Sequence, residues 1–208
     1  MNGKWKRWEA ALLAGVAIAI SAGAYLDREQ DALAENVIRL HVIANSDSEG
    51  DQALKLAVRD RVLEAAGALY DPEDSVTDAL AKLDAHLDEI AAAGRAEVTA
   101  RGYGYPVTAQ LARSWFPTRE YEDFALPAGN YTALRVVIGE GSGRNWWCVV
   151  FPPLCLSSAT ENVQQTAAAA GLTRDQVALI TGEDGGYIVK FKAVELWEQL
   201  KAAVNGAG

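Results

Sequence analysis

Val37-Ile38-Arg39-Leu40-His41-Val42-Ile43-Ala44-Asn45-Ser46-Asp47-Ser48 is a near-continuous apolar run that ends in a cluster of capping residues. Its β-branched residues predict a strand over 37–44, with Arg39 and His41 interrupting one alternating face. Ser48, followed three positions later by Asp51, is a capping-box variant, so a helix is predicted to start there. Leu54, Val58, Val62 and Ala66 recur at helical spacing. Asp51, Lys55 and Arg59 form an i,i+4 ladder on a different face, which reads equally as a solvated surface.

Downstream, Asp71-Pro72 ends this helix, and Asp74 or Ser75 can cap a second one. Val76, Leu80, Leu83, Leu87 and Ile90 hold its apolar stripe, Gly94 closes it, and His86 lies at the stripe's edge as a boundary residue. The pattern then shifts to period two. Strands are predicted over 97–101 and 107–113, joined through Gly102-Tyr103-Gly104-Tyr105-Pro106, and over 131–138 and 146–151. The glycine-rich stretch 139–145 is read as a hairpin turn between the last two, and Pro152-Pro153 stops the sheet. From residue 157 the chain shows an Ala-rich helical stretch, a short helix over 174–180, a loop over 182–186 and a final helix through Leu196, Leu200 and Val204. The expectation is an α+β fold: a single domain over 33–156 with a mostly antiparallel sheet packed by helices, followed by a helical appendage over 157–208.

Upstream, Lys4, Lys6 and Arg7 precede an apolar run over 10–26 that carries no charge. A basic start, an apolar middle and the small-residue triplet Ala22-Gly23-Ala24 match a secretory signal cleaved after Ala24. An uncleaved membrane anchor is the other reading of residues 1–26. Both export the rest of the chain.

At 208 residues and 22.3 kDa the chain has room for one domain with a sizeable core. Nineteen Lys and Arg against 28 Asp and Glu give a formal charge of -9. That balance argues against nucleic acid as a partner, and it limits membrane contact to residues 1–26 or to a protein partner.

Little in the sequence promises catalysis. The chain has two histidines, His41 and His86; Ser46 and Ser48 lie near His41 but neither sits in a G-x-S-x-G nucleophile elbow, and the 139–143 loop lacks the Lys-Ser/Thr of a phosphate-binding loop. Cys148 and Cys155 do not have zinc-ligand spacing; in an exported chain they either pair as a disulfide or remain two packed thiols. His41, Asp47 and Asp51 could gather around a divalent ion at the strand-to-helix junction, or the two acids could simply complement the helix dipole. No cofactor or metal is therefore expected. Aromatics crowd one third of the chain, and Trp146-Trp147 on a strand must point to opposite faces. One of them is thus a candidate for an exposed partner contact, packing beneath a helix being the alternative.

The string 38–48, the pieces Asp51-Gln52, Leu54-Lys55-Leu56 and Val58-Arg59-Asp60, and a long block resemble the stage II sporulation protein R family of endospore-forming bacteria. The block runs from Trp115-Phe116-Pro117-Thr118 through Leu126-Pro127-Ala128-Gly129 and the stretch 133–139 to Asn145-Trp146-Trp147-Cys148-Val149-Val150-Phe151-Pro152-Pro153-Leu154-Cys155. The resemblance implies a signalling protein made in the forespore and exported to the space between the two sporulation membranes. There it would activate a membrane-embedded aspartic protease that processes pro-sigma-E, the proteolysis belonging to the partner. The family carries no catalytic residues over to this chain. The expected mode is binding, with contacts at His41, Asn45, Asp47 and Asp51 and at Trp115 and Trp146 or Trp147. An exported hydrolase or metal-dependent enzyme using His41 and the nearby carboxylates is the alternative.

Overall fold

Strand β1 (Ile38–Ile43) is buried along almost its whole length, and an apolar strand of that kind needs partners on both edges and cover on both faces. It finds all four. In the computed structural model, which describes residues 7–71, 73–121, 123–155 and 163–182, the chain runs α1 (Arg7–Glu35), β1, α2 (Glu49–Gly67), α3 (Val76–Ala85), α4 (Leu87–Ala100), β2 (Val107–Phe116), β3 (Arg119–Glu120), β4 (Ala125–Leu126), β5 (Gly129–Ile138), β6 (Asn145–Phe151), α5 (Val163–Ala169) and α6 (Arg174–Thr181). Four strands form a sheet in the order β2-β5-β1-β6, and β3 pairs with β4 in a small ribbon. β1 is parallel to β5, while β1–β6 and β2–β5 are antiparallel. The expected α+β domain with a mostly antiparallel sheet is what forms.

Four local expectations are overturned. Residues 139–145 do not make a hairpin, because β1 is inserted between β5 and β6 and pairs with both. Residues 97–101 are not a strand but the last turn of α4 and its cap. Gly94 does not end that helix; it lies inside it, facing Val58 of α2 and Val107 of β2, and the stripe Ile90, Ala91, Gly94, Val98 continues past it at helical spacing. The stop comes at Gly102, whose φ of 81° suits the left-handed C-cap position. There Tyr103 N donates to Val98 O and Gly102 N to Thr99 O, the paired bonds of a Schellman motif. The predicted single helix through 76–90 is also two helices. At the joint His86 N bonds Leu83 O instead of continuing the ladder, and the ring Nδ1, 2.7 Å from Lys82 O, takes up the carbonyl this leaves free.

Each face of the sheet carries its own core. Ile38, Leu40, Val42, Leu134, Val136 and Cys148 pack beneath α2, α3 and α4. On the opposite face Phe116, Tyr131, Ala133 and Val149 meet Leu33 and Ala34 at the end of α1, Phe124 and Leu126, and Val163, Ala167, Val177 and Ile180 of α5 and α6. The short helix predicted over 174–180 is α6, opened by a capping box between Thr173 and Gln176. The predicted final helix through Leu196, Leu200 and Val204 lies outside the described residues. A disulfide joins Cys148 to Cys155, their Cα atoms 6.3 Å apart, and folds the chain after β6 back so that Leu154 is fully buried in the second core. From Arg7 on, the backbone of the predicted leader is helical, with Trp8, Leu12, Leu13, Val16 and Ile18 of α1 exposed. Among the described residues no helix is long and apolar enough to cross a membrane.

Candidate functional site

Asn45-Ser46-Asp47-Ser48 leaves the end of β1 and turns into α2. Ser48 accepts from Asp51 N at 3.2 Å, as the capping pattern predicts. The Asp51 carboxylate does not return the bond to the cap; it is buried and accepts from Ser46 Oγ at 2.5 Å and Asn45 Nδ2 at 2.9 Å. Those bonds, Ser46's the stronger influence, hold the Asp51 pKa below the ordinary carboxylate value, with Tyr105 and Ser48 adding to the effect and burial opposing it. A carboxyl depressed in the folded state stabilises above its unfolded pKa, and that stability is lost as pH falls through the folded value. Urea midpoints should therefore drop as pH is lowered below about 4, and in Asp51→Asn the gap from wild type, present at pH 7, should narrow over the same range. A gap that stays constant from pH 7 to pH 2.5 would assign Asp51 no such role.

The same corner straps down the 139–144 loop. Asn45 accepts from Glu140 N through its side chain at 3.0 Å and from Ser142 Oγ through its carbonyl at 2.6 Å. Arg144 N donates to Asp47 Oδ1 at 2.7 Å, and Lys55, itself buried, donates to Arg144 O at 3.0 Å and to Gln52 Oε1 at 2.6 Å. Burial lowers the Lys55 pKa, with the Arg144 charge next in effect. The expected Asp51-Lys55-Arg59 ladder does not form, since each member is engaged elsewhere; Arg59 pairs with Asp60 and lies over Trp146 at 4.6 Å. Nor do His41, Asp47 and Asp51 gather. Among the described residues no group of three His, Cys, Asp or Glu is placed to hold a metal ion.

The remaining predicted residues separate by face. His41 and Trp147 are register partners on neighbouring strands, with ring centroids 6.1 Å apart, and Arg119 lies over Trp147 at 4.2 Å. Trp146 points the other way, toward α2, and both tryptophans are half-buried. The exposed indole is instead Trp115, 56% accessible on the outer strand β2. Both ring nitrogens of His41 lie below the surface with no hydrogen bond of good geometry. Burial pulls its pKa below 6.5, the nearby Asn145 side chain acting against this and the Arg135 charge with it.

Two arginines escaped the sequence reading as site residues. Arg135 stands beside His41 in the parallel β1–β5 register. Arg39 is fully buried, its guanidinium 4.5 Å from the Phe116 ring centre and 5.0 Å from that of Tyr131. Arg39 Nε donates to Cys148 O at 3.0 Å and Nη2 to Tyr121 Oη at 3.1 Å, while Nη1 has no partner. A signal was present for both, since each is a lone charge inside an otherwise apolar strand.

The family described as stage II sporulation protein R matches residues 34–161, more than half of the chain. The chain is 36% identical over 121 residues to stage II sporulation protein R of Bacillus subtilis strain 168, an alignment covering 58% of this chain and 54% of that relative. It thus spans about half the length of the curated relative it matches. No solved structure matches.

Proposed function

Because the chain belongs to the stage II sporulation protein R family, a sporulation family, we propose that it is an exported signal that switches on a membrane-embedded aspartic protease, which then processes pro-sigma-E. Family membership is the observation that carries this reading. In it, residues 1–26 direct the chain out of the forespore as a signal peptide or an anchor, and the domain works in the space between the two membranes. Activation proceeds by binding: the domain has higher affinity for the active arrangement of the protease and shifts its population toward that state. The engagement of Asp51 and Lys55 in holding the 139–144 loop supports binding over catalysis, because those groups are committed to the fold.

The test is processing of pro-sigma-E in a non-sporulating host that co-expresses the protease, with and without this chain. Cleavage is expected only with the exported chain. His41→Gln should retain at least part of that effect, since a half-buried histidine in a binding surface can be replaced with modest loss, whereas a general base cannot. Complete loss with a folded, exported His41→Gln would favour an enzyme.

A further inference from the structure

Gln110, Arg135, His41 and Trp147 are aligned in one register line across β2, β5, β1 and β6, and register partners point to the same face. At about 4.8 Å between strands the row spans about 14 Å. The second core covers only the half of this face that holds Phe116, Tyr131, Ala133 and Val149. Beyond it Thr108, Gln110 and Asn145 are exposed, and His41, Arg135, Val137 and Trp147 are half-buried.

The charge on this face is one-sided. Of the strand arginines, Arg39 and Arg135 lie on this face, while Arg113, paired with Thr132, lies on the other; the four strands contain neither Asp nor Glu, in a chain with 28 acidic residues. Arg135 makes no ion pair among the described residues, its titratable neighbour in the row is His41, and Arg119 adds a further cation over Trp147. A cation held beside an imidazole without a carboxylate gains most from an incoming anion that shields it from water.

We propose that the open half of this sheet face, centred on Arg135 and flanked by Gln110, Trp147 and Arg119, is the docking surface for a short acidic segment of a protein partner. Arg135 and Arg119 hold its carboxylates, Gln110 and Asn145 supply neutral hydrogen bonds, and Trp147 packs against its apolar stems. A polypeptide fits better than an anionic membrane. The overall charge of -9 repels an extended anionic surface, whereas a short segment senses the field within about 8 Å at physiological salt. This inference relies on the proposed function only for the partner's identity.

The probe is a synthetic ten-residue peptide rich in Glu, titrated into the isotopically labelled full chain and followed by NMR. Shift changes are expected at Gln110, Arg135, His41 and the Trp147 indole, weakened by added salt and absent with a Lys-rich peptide. Arg119→Glu, at an exposed position, should raise the peptide Kd at least fivefold, as should Arg135→Glu, each checked for an intact fold by its spectrum. Arg61→Glu on the exposed side of α2 should leave it within twofold. Changes scattered over the surface, an Arg119→Glu chain that binds like wild type, or binding to phosphatidylglycerol vesicles in place of the peptide would each overturn the proposal. These readouts are independent of pro-sigma-E processing, so either idea can fail without the other.

Discussion

Arg39→Ala should lower the stability of the domain by about 3–5 kcal/mol, the range expected when one member of a buried charged network is removed or a large core side chain is truncated. The guanidinium is buried with no exposure against two aromatic rings that themselves pack edge to face. Truncation leaves a cavity beside Phe116 and Tyr131, removes the side-chain donor to Cys148 O and takes from Tyr121 Oη the bond it accepts, although Tyr121 can still donate to Trp147 O. Arg39→Met should cost less than Arg39→Ala. A thioether refills the volume, and removing a buried charge that has no carboxylate partner relieves desolvation. Urea unfolding of the two variants measures both. An alanine variant within about 1 kcal/mol of wild type, or a methionine variant worse than alanine, would show that Arg39 does not hold this core together.

The second large effect is expected at Gly143. Its N–H donates to Ala44 O at 3.0 Å, which brings the loop backbone against the end of β1. A Cβ there would lie 2.5 Å from the Ser46 carbonyl carbon and 3.0 Å from the Ala44 methyl, and its first obstacle is backbone, which cannot rotate away. Gly143→Ala should therefore cost about 3 kcal/mol, the upper part of the range for overpacking. The loss should not stay local, because moving Gly143 also moves Arg144, which bonds Asp47 through its N–H and Lys55 through its carbonyl. Gly104→Ala is the control. Nothing lies within 4 Å of a Cβ at that position, so a neutral or slightly stabilising effect is expected there. Thermal unfolding of the two alanine variants in parallel decides the matter; equal midpoints would mean that the loop yields without cost.

Strand β1 and the start of α2 were legible in the sequence because their signals are local: an apolar run for one, Ser48 and Asp51 for the other. The α+β class followed from the same kind of pattern. Pairing was not legible. Consecutive strands 131–138 and 146–151 look like a hairpin until one asks where β1, apolar on both faces, finds its own partners. The end of α4 was misplaced for a related reason: a glycine reads as a stop from sequence, yet Gly94 serves a helix crossing, and only the contacts of Val58 and Val107 distinguish the two. Asn45, Asp47 and Asp51 stood out in the sequence as candidate contacts; in the structure Asn45 and Asp47 fasten the 139–144 loop and Asp51 holds Asn45. His41 and Trp147 were found without Arg135, because adjacency across a parallel pair more than ninety positions apart leaves no mark in local spacing.

The central place of β1 sets the order in which this chain can assemble. β1 is synthesised early, yet both strands that flank it, β5 and β6, come from the far side of three helices and β2. Until residues beyond Gly129 have emerged, β1 has no strand to bond and its Arg39 lacks Tyr131, one of the two rings it packs on. Formation of the four-stranded sheet is thus postponed until β5 and β6 have been made, and contacts this distant in sequence make folding slow. Under the proposed export, in which the chain would pass a narrow protein-conducting channel in extended form, such delay would be an advantage: the sequence order would keep the polypeptide threadable until nearly all of the domain had reached the far side.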